Sequence, residues 1–316
     1  MRPIVKVVLI VGVWGAVGCA VKGDDPAAGS RTGSGPTKTI GVTLLTKEHE
    51  FYRQLEAGLR AAAARHGYRL LVTSGDFDLA KQQAEIDNFL VQHVDAVIAC
   101  PVDSRGIGPA IARVSAAHIP VFTADIQALG APVIAHVASD NILGGRLAAQ
   151  YMARALGDSG QVAVIGQPET QTALDRQQAF VAEMARHPRI SVVATVNGGG
   201  VRDRALKAAD DVLQGHPELR AIFAINDETA LGALSAALAR GKTAATFTIV
   251  GYDATPEAVS AIQRQTPLKA DVAQQPQEIG EKTIDVIAAY FEHRAVDSMI
   301  TVPVRLVVAT TQQTSP

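Results

Sequence analysis

Cysteine is nearly absent: Cys19 and Cys100 are the only two, so there is no disulfide framework and stability must come from an apolar core. Aromatic residues are scarce too, at 4%, with a single tryptophan, Trp14. Charge balances to a formal −2, and no Lys/Arg-rich run is interleaved with aromatics. That excludes the basic face a nucleic-acid binder needs to neutralise phosphates. Signatures of catalysis are missing as well. No G-x-S-x-G elbow occurs, and His66, His93, His118 and His136 lack metal-ligand spacing. Gly241-Lys242-Thr243 imitates the end of a P-loop, but Ala236 stands where the first glycine belongs, and the stretch follows a helical pattern rather than a strand. With no nucleophile–base or paired acid–base constellation, no enzyme activity, cofactor or bound metal is expected.

What is present begins at the front. Arg2 and Lys6 flank the start of an apolar run, Val7 to Val17. As a helix that run spans about 16 Å, roughly half a bilayer core, too short to cross. Ala16-Val17-Gly18-Cys19 then resembles a bacterial lipobox, in which small residues before a cysteine allow thiol lipidation and cleavage just ahead of it. Ala16 departs from the leucine usual there. Residues 1–18 therefore read as a lipoprotein signal peptide and Cys19 as the lipidation site. The chain is expected to be extracytoplasmic, held to a membrane by its lipid anchor or periplasmic. Residues 19–38 are rich in Gly, Ser, Pro and Asp without apolar periodicity, and read as a flexible tether.

From Thr39 onward, short apolar runs alternate with amphipathic stretches. The runs are 40–45, 70–72, 94–99, 119–122, 133–137, 162–165, 190–196, 221–225, 247–250, 269–273 and 300–308. Their apolarity is continuous rather than alternating, as in parallel sheets covered on both faces. Between them, Phe51, Leu55 and Leu59 recur at helical spacing with Gly67 as a stop, and Leu231, Leu234 and Leu238 form a comparable stripe. Thr255-Pro256 sets a capping hydroxyl before a proline suited to the first helical position. About eleven strands are too many for an ordinary single open sheet, so the expected fold is α/β, with two doubly wound parallel-sheet lobes.

Such sheets bind ligands at the carboxyl ends of their strands. Glu48 and His49 follow the first strand, Cys100 the third and Asp125 the fourth, with Asn226, Asp227, Asp253 and Gln274 after later ones. Sugar hydroxyls need planar partners such as Asp, Asn, Gln and Arg, and the C–H faces of a sugar ring favour an aromatic face. Phe51, Tyr52, Asp125, Arg176, Asn226, Asp253 and Gln274 supply both kinds. Asp227 reads as the cap of the helix that follows.

Several stretches, in order, carry a family resemblance. They are Ile119-Pro120-Val121, Ala138-Ser139-Asp140-Asn141 with Leu143-Gly144-Gly145, and Asn226-Asp227-Glu228 with Ala230-Leu231-Gly232-Ala233. Val250-Gly251-Tyr252-Asp253 with Thr255-Pro256, and Ala273-Gln274 with Pro276 and Ile279-Gly280, complete the set. Over residues 39–308 the sequence resembles the ribose-type sugar-binding proteins of the periplasmic-binding-protein family. The resemblance implies three hinge crossings, near Ser139–Asp140, Gln274–Gln275 and Val304–Leu306. It divides the chain into an N-terminal lobe, 39–139 plus 275–304, and a C-terminal lobe, 140–274 plus 305–316.

By the same resemblance the chain is a monomeric solute-binding protein. It would capture a sugar or polyol between the lobes and deliver it to an ABC-type permease and, through that, a cytoplasmic ATPase. Phe51 and Tyr52 would be the N-terminal lobe's aromatic wall and Asp125 its hydroxyl acceptor. Arg176, Asn226 and Asp253 would serve from the other lobe, and Gln274 from the hinge; Glu48, His49 and Cys100 are further candidates. The departures argue against D-ribose specifically. His49 and Cys100 replace asparagines, Ile126 replaces an arginine, and an expected aromatic falls in Asn197-Gly198-Gly199-Gly200, leaving room beside Gly200. Two other functions were weighed: an exported sensor presenting ligand to a receptor kinase or chemoreceptor, and a LacI-type regulator core. The regulator would need a helix-turn-helix where the signal and tether stand.

Overall fold

Unbroken apolar strands follow from sheets covered on both faces, and four separate apolar clusters in the computed structural model, two per sheet, show that covering. The structure describes residues 37–309. The expected signal, the lipidation expected at Cys19 and nearly all of the expected tether lie outside the described residues. The chain runs β1 (Thr39–Leu44), α1 (Glu50–His66), β2 (Arg69–Ser74), α2 (Leu79–Val91), β3 (Ala96–Ala99), α3 (Gly108–Ala116), β4 (Val121–Ala124) and β5 (Ala135–Ser139). It continues through α4 (Asn141–Leu156), β6 (Gly160–Gly166), α5 (Gln171–Met184), β7 (Ile190–Asn197), α6 (Arg202–Gly215), β8 (Leu219–Ala224) and α7 (Asp227–Ala239). The last elements are β9 (Thr248–Asp253), α8 (Pro256–Gln263), β10 (Leu268–Ala273), α9 (Pro276–Phe291), β11 (Met299–Val302) and β12 (Arg305–Val308).

These build two doubly wound lobes. Their sheets are ordered β11-β5-β4-β3-β1-β2 and β12-β10-β9-β8-β6-β7. Every described pairing is parallel except β10 with β12. The chain passes between sheets at Asp140, at Gln274–Gln275 and at Pro303–Val304. The last passage lies beside the Val304–Leu306 crossing that the resemblance implies; what it corrects is the count of one strand over 300–308. The apolar run 300–308 is two strands in different sheets, broken at Pro303, which has no N–H to give a ladder. Apolarity reports burial, not which sheet a strand joins.

Local signals behave as their chemistry dictates. Gly67 ends α1 in the left-handed conformation at φ 69°, and Thr255 caps α8 by accepting from Ala258 N. The leucine stripe on α7 is only partly a core face: Leu231 and Leu234 are buried, but Leu238 is 51% exposed. Alanines take over the packing there, and Gly232 brings α7 against the backbone of α6, where a Cβ would meet Arg202 O and Leu206 N.

The N-terminal lobe contains a titrating core residue. His136 lies on β5, 6% exposed, with Nδ1 2.9 Å from Thr123 Oγ1. Burial pushes its pKa down to about 4 from the ordinary 6.5, so it is neutral when folded. The unfolded chain takes up that proton at higher pH. The stabilisation is therefore complete above about pH 6.5 and lost progressively as pH falls towards 4, by about 3 kcal/mol in all. Chemical denaturation of wild type and His136→Asn across that interval should give a stability difference that shrinks with acidification. A pH-independent difference would refute the assignment.

Candidate functional site

Between the carboxyl ends of the two sheets lies a crevice of ≈ 400 Å³, its open mouth included. Its N-terminal side is built by the turn after β1 and the first turn of α1. Phe51 and Tyr52 stand edge to face there, with centroids 5.1 Å apart. Both are almost fully buried, because the helical stripe that continues into Leu55 and Leu59 anchors them. His49, the residue preceding α1, packs 5.5 Å from Phe77 between ring centroids. Burial holds its imidazole below the ordinary range, against the pull of Glu228 from the other lobe. Asp125 follows β4 at φ 62° and accepts from Tyr52 Oη at 2.6 Å. Burial raises its carboxyl, and the Arg176 charge opposes that rise.

Arg176 comes from α5 and is 5% exposed. Its Nε donates to Asn141 Oδ1 and its Nη1 to Ile225 O, each at 2.8 Å, and its guanidinium stacks 3.8 Å from the Tyr252 ring centroid. The flat fork is thus fixed on three sides, with Asp125 and Asp253 close enough to feel its charge. Asp253 ends β9 at φ 120°, a left-handed conformation costly outside glycine. Its Oδ1 accepts from Gln274 Nε2 at 2.6 Å. Burial, then the neighbouring Asp227, pushes its pKa up to about 8. The Gln274 carbonyl oxygen Oε1 is buried with no donor.

The crevice brings together His49, Phe51, Tyr52, Asp125, Arg176, Asn226, Asp253 and Gln274. Two candidates stand elsewhere. Cys100 is fully buried in the N-terminal core, where burial and then the Asp125 charge push its thiol up; it lies behind the wall. Glu48 is exposed and touches Arg53 only through its backbone carbonyl. In both cases a strand-end position was right and the side-chain direction was not. The capping roles are also exchanged. Asn226 Oδ1 caps α7 by accepting from Thr229 N, while Asp227 is buried at 1% exposure. The room expected beside Gly200 is filled by the Gln167 amide, which a Cβ there would strike.

Gln167, Thr170 and Thr172 line the crevice without having been singled out. Gln167 directly follows β6, so the strand-end rule applied to every strand would have found it. Loops also clasp one another across the mouth. Thr172 Oγ1 donates to Asp125 O at 2.9 Å, Ser104 N to Glu169 O at 3.0 Å, and Gln171 N to Ser104 Oγ at 2.9 Å. The lobes are closed on each other. Among the described residues, no group of three or more His, Cys, Asp or Glu side chains is arranged to hold a metal.

Residues 40–295 match the family model described as "Periplasmic binding protein domain". The chain belongs to that family. It is similar to the ribose import binding protein RbsB of Bacillus subtilis, 31% identical over 309 residues, covering 97% of this chain and 99% of that one. Solved structures agree. An ABC transporter solute-binding protein from Agrobacterium vitis, bound with alpha-D-tagatopyranose, has a TM-score of 0.82 at 26% identity, covering 89% of this chain and 97% of that one. One from Bacillus halodurans, with bound myo-inositol, has a TM-score of 0.80 at 26% identity, covering 88% and 96%. As a member of this family the chain is an extracytoplasmic substrate-binding protein.

Proposed function

We propose that the crevice captures a neutral sugar or polyol and that the chain delivers it to an ABC-type permease driven by a cytoplasmic ATPase. The observation that carries this reading is the Gln274 carbonyl, buried without a donor on a wall shared with Asp125, Asp253, Arg176 and two aromatic rings. A hydroxyl-rich guest supplies the missing donor, and its C–H faces suit Phe51 and Tyr52. The relatives found with a pyranose or an inositol support the same class. Ile126 stands where ribose-type proteins carry an arginine, and the Gln167 amide fills the space beside Gly200, in the stretch where they carry an aromatic, so the class named is sugar or polyol rather than D-ribose. Asn226 Nδ2, which donates to Gly200 O at 3.0 Å, keeps a second N–H for the guest. The lipobox at Cys19 supports a membrane anchor that keeps the protein near its permease.

The test is a thermal-shift panel of pentoses, hexoses, inositols and linear polyols, since a guest that binds only the folded state raises the melting temperature. No shift with any member would sink the reading. A pH dependence follows for the guest that binds. Asp253 rests near 8 in the closed cleft, and hydroxyls donating to it favour the ionised form. Binding should therefore release a proton near neutrality, and affinity should rise with pH up to about 8. Calorimetry in buffers of different ionisation heat reads the released proton directly. Zero release with flat affinity would remove Asp253 from contact.

A further inference from the structure

Behind the crevice, outside its lining, stand two carboxyl groups. Asp227, in the first turn of α7, is 1% exposed, and Asp271, in β10, is fully buried. Each gives one oxygen to the turn that follows Asp253. Asp227 Oδ2 accepts from Thr255 N at 2.6 Å, and Asp271 Oδ1 accepts from Ala254 N at 2.9 Å. The two remaining oxygens, Asp227 Oδ1 and Asp271 Oδ2, have no donor. They meet over Gly251, where a Cβ would strike Asp271 Oδ2 and lie 3.0 Å from Asp227 Oδ1. The side chains are within hydrogen-bonding reach of each other.

Two ionised carboxylates cannot sit so close in a dry interior, whereas one proton turns two orphaned acceptors into a donor–acceptor pair. We propose that Asp227 and Asp271 share a single proton and, as positioning residues, form a brace that holds Asp253 towards the crevice. The brace fixes the N–H groups of Ala254 and Thr255. It thereby holds Asp253 at φ 120° and Ala254 at φ 56°, two successive left-handed residues that local preference opposes. Asp227 N also lies 3.4 Å from Asp253 Oδ2, tying the helix start to the same carboxyl. The proposal rests on the reading that Asp253 receives the guest.

Among the described residues no cation neutralises the pair. The charged group facing it is Asp253 on β9, with Arg176 and Asp125 beyond. Glu228 on α7 and Glu257 on α8 turn to Arg202, and Arg146 on α4 and Arg305 on β12 are exposed. Burial raises both acids: Asp271 to about 7, with the Asp253 charge adding to the rise and the hydrogen bond to Asp227 opposing it, and Asp227 well above its usual range, with the Asp271 charge adding. Groups raised in the folded state lose their stabilising effect as pH rises through the folded values, so the brace weakens on the alkaline side.

The experiment uses the ligand-free protein first. The infrared difference between wild type and Asp271→Asn, in which the Asp253 carboxyl is common to both, should contain a protonated-carboxyl stretch at neutral pH that disappears on alkalinisation. The asparagine amide donates a permanent hydrogen to Asp227. Wild type should therefore lose thermal stability as pH rises from the ordinary carboxyl range through about 7 and beyond, while Asp271→Asn does so far less. In Asp227→Asn/Asp271→Asn two amide donors face each other, and the melting temperature should fall at every pH. Binding is then measured with whichever of D-ribose, D-tagatose and myo-inositol shifts the melting temperature. Beyond the rise that Asp253 produces up to about pH 8, wild-type affinity should drop at least tenfold on further alkalinisation, while Asp271→Asn keeps the affinity it reaches there. A wild-type minus Asp271→Asn difference with no protonated-carboxyl band, or an alkaline decline identical in both proteins, overturns the brace. Unchanged sugar binding by Asp253→Asn would instead overturn the reading of the crevice, leaving the infrared result to decide the brace alone.

Discussion

Arg176→Met should weaken sugar binding by roughly 2–5 kcal/mol, from about thirty-fold to several thousand-fold. The guanidinium makes two charge-assisted hydrogen bonds and a stacking contact. It is also the cation that holds down the carboxyls of Asp125 and Asp253. Without it, Asn141 Oδ1 and Ile225 O lose a donor, and the two acids take up protons that turn acceptors into donors facing the guest. Removing one partner from a buried charge cluster costs more than the net worth of the contact, because the remaining charges stay buried. Arg176→Lys should rescue little, since an ammonium cannot stack flat on Tyr252 while bridging two acceptors. Calorimetry with the identified sugar checks this, and affinity within threefold of wild type would remove Arg176 from the binding machinery.

Gly58→Val should cost about 3 kcal/mol of stability, or prevent folding. Helices α1 and α9 cross in backbone contact: a Cβ on Gly58 would strike Gln277 O, and one on Gly280 would strike Leu55 O and lie 2.7 Å from Leu59 N. No flexible side chain can give way there, so the helices must part. Because α1 carries Phe51 and Tyr52 in its first turn, sugar affinity should fall in any variant that still folds. Gly215→Ala is the control, since its Cβ would meet nothing within 4 Å. Denaturant midpoints for the two variants decide the matter: equal values would show that the crossing tolerates a side chain.

Much of this architecture was legible because double-sided burial leaves an unbroken apolar run, and because polar residues just past such runs converge at one end of a parallel sheet. That logic placed Asp125, Asn226, Asp253 and Gln274 on one crevice before any coordinates. It failed for Cys100 and Glu48 because position along the chain does not give side-chain direction. The run at 300–308 counts as one strand by hydropathy but is two, because hydropathy records depth, not partnership; only the resemblance put a crossing there. Asn141 and Tyr252, which hold Arg176, and Asp271, which holds the turn after Asp253, were invisible for a different reason. Each acts on a residue distant in sequence, and no local pattern encodes that pairing.

The clasp across the mouth, Thr172 to the Asp125 carbonyl and Ser104 to Glu169 and Gln171, consists of protein groups alone. Every such bond lowers the energy of the shut form before any guest arrives, so less of the guest's own binding energy is consumed in shutting it. Residues on the rim can therefore set how long a captured molecule is retained, while those inside set which molecule it is. A lineage facing scarcer nutrients could tighten its grip by altering the rim and leave its taste untouched.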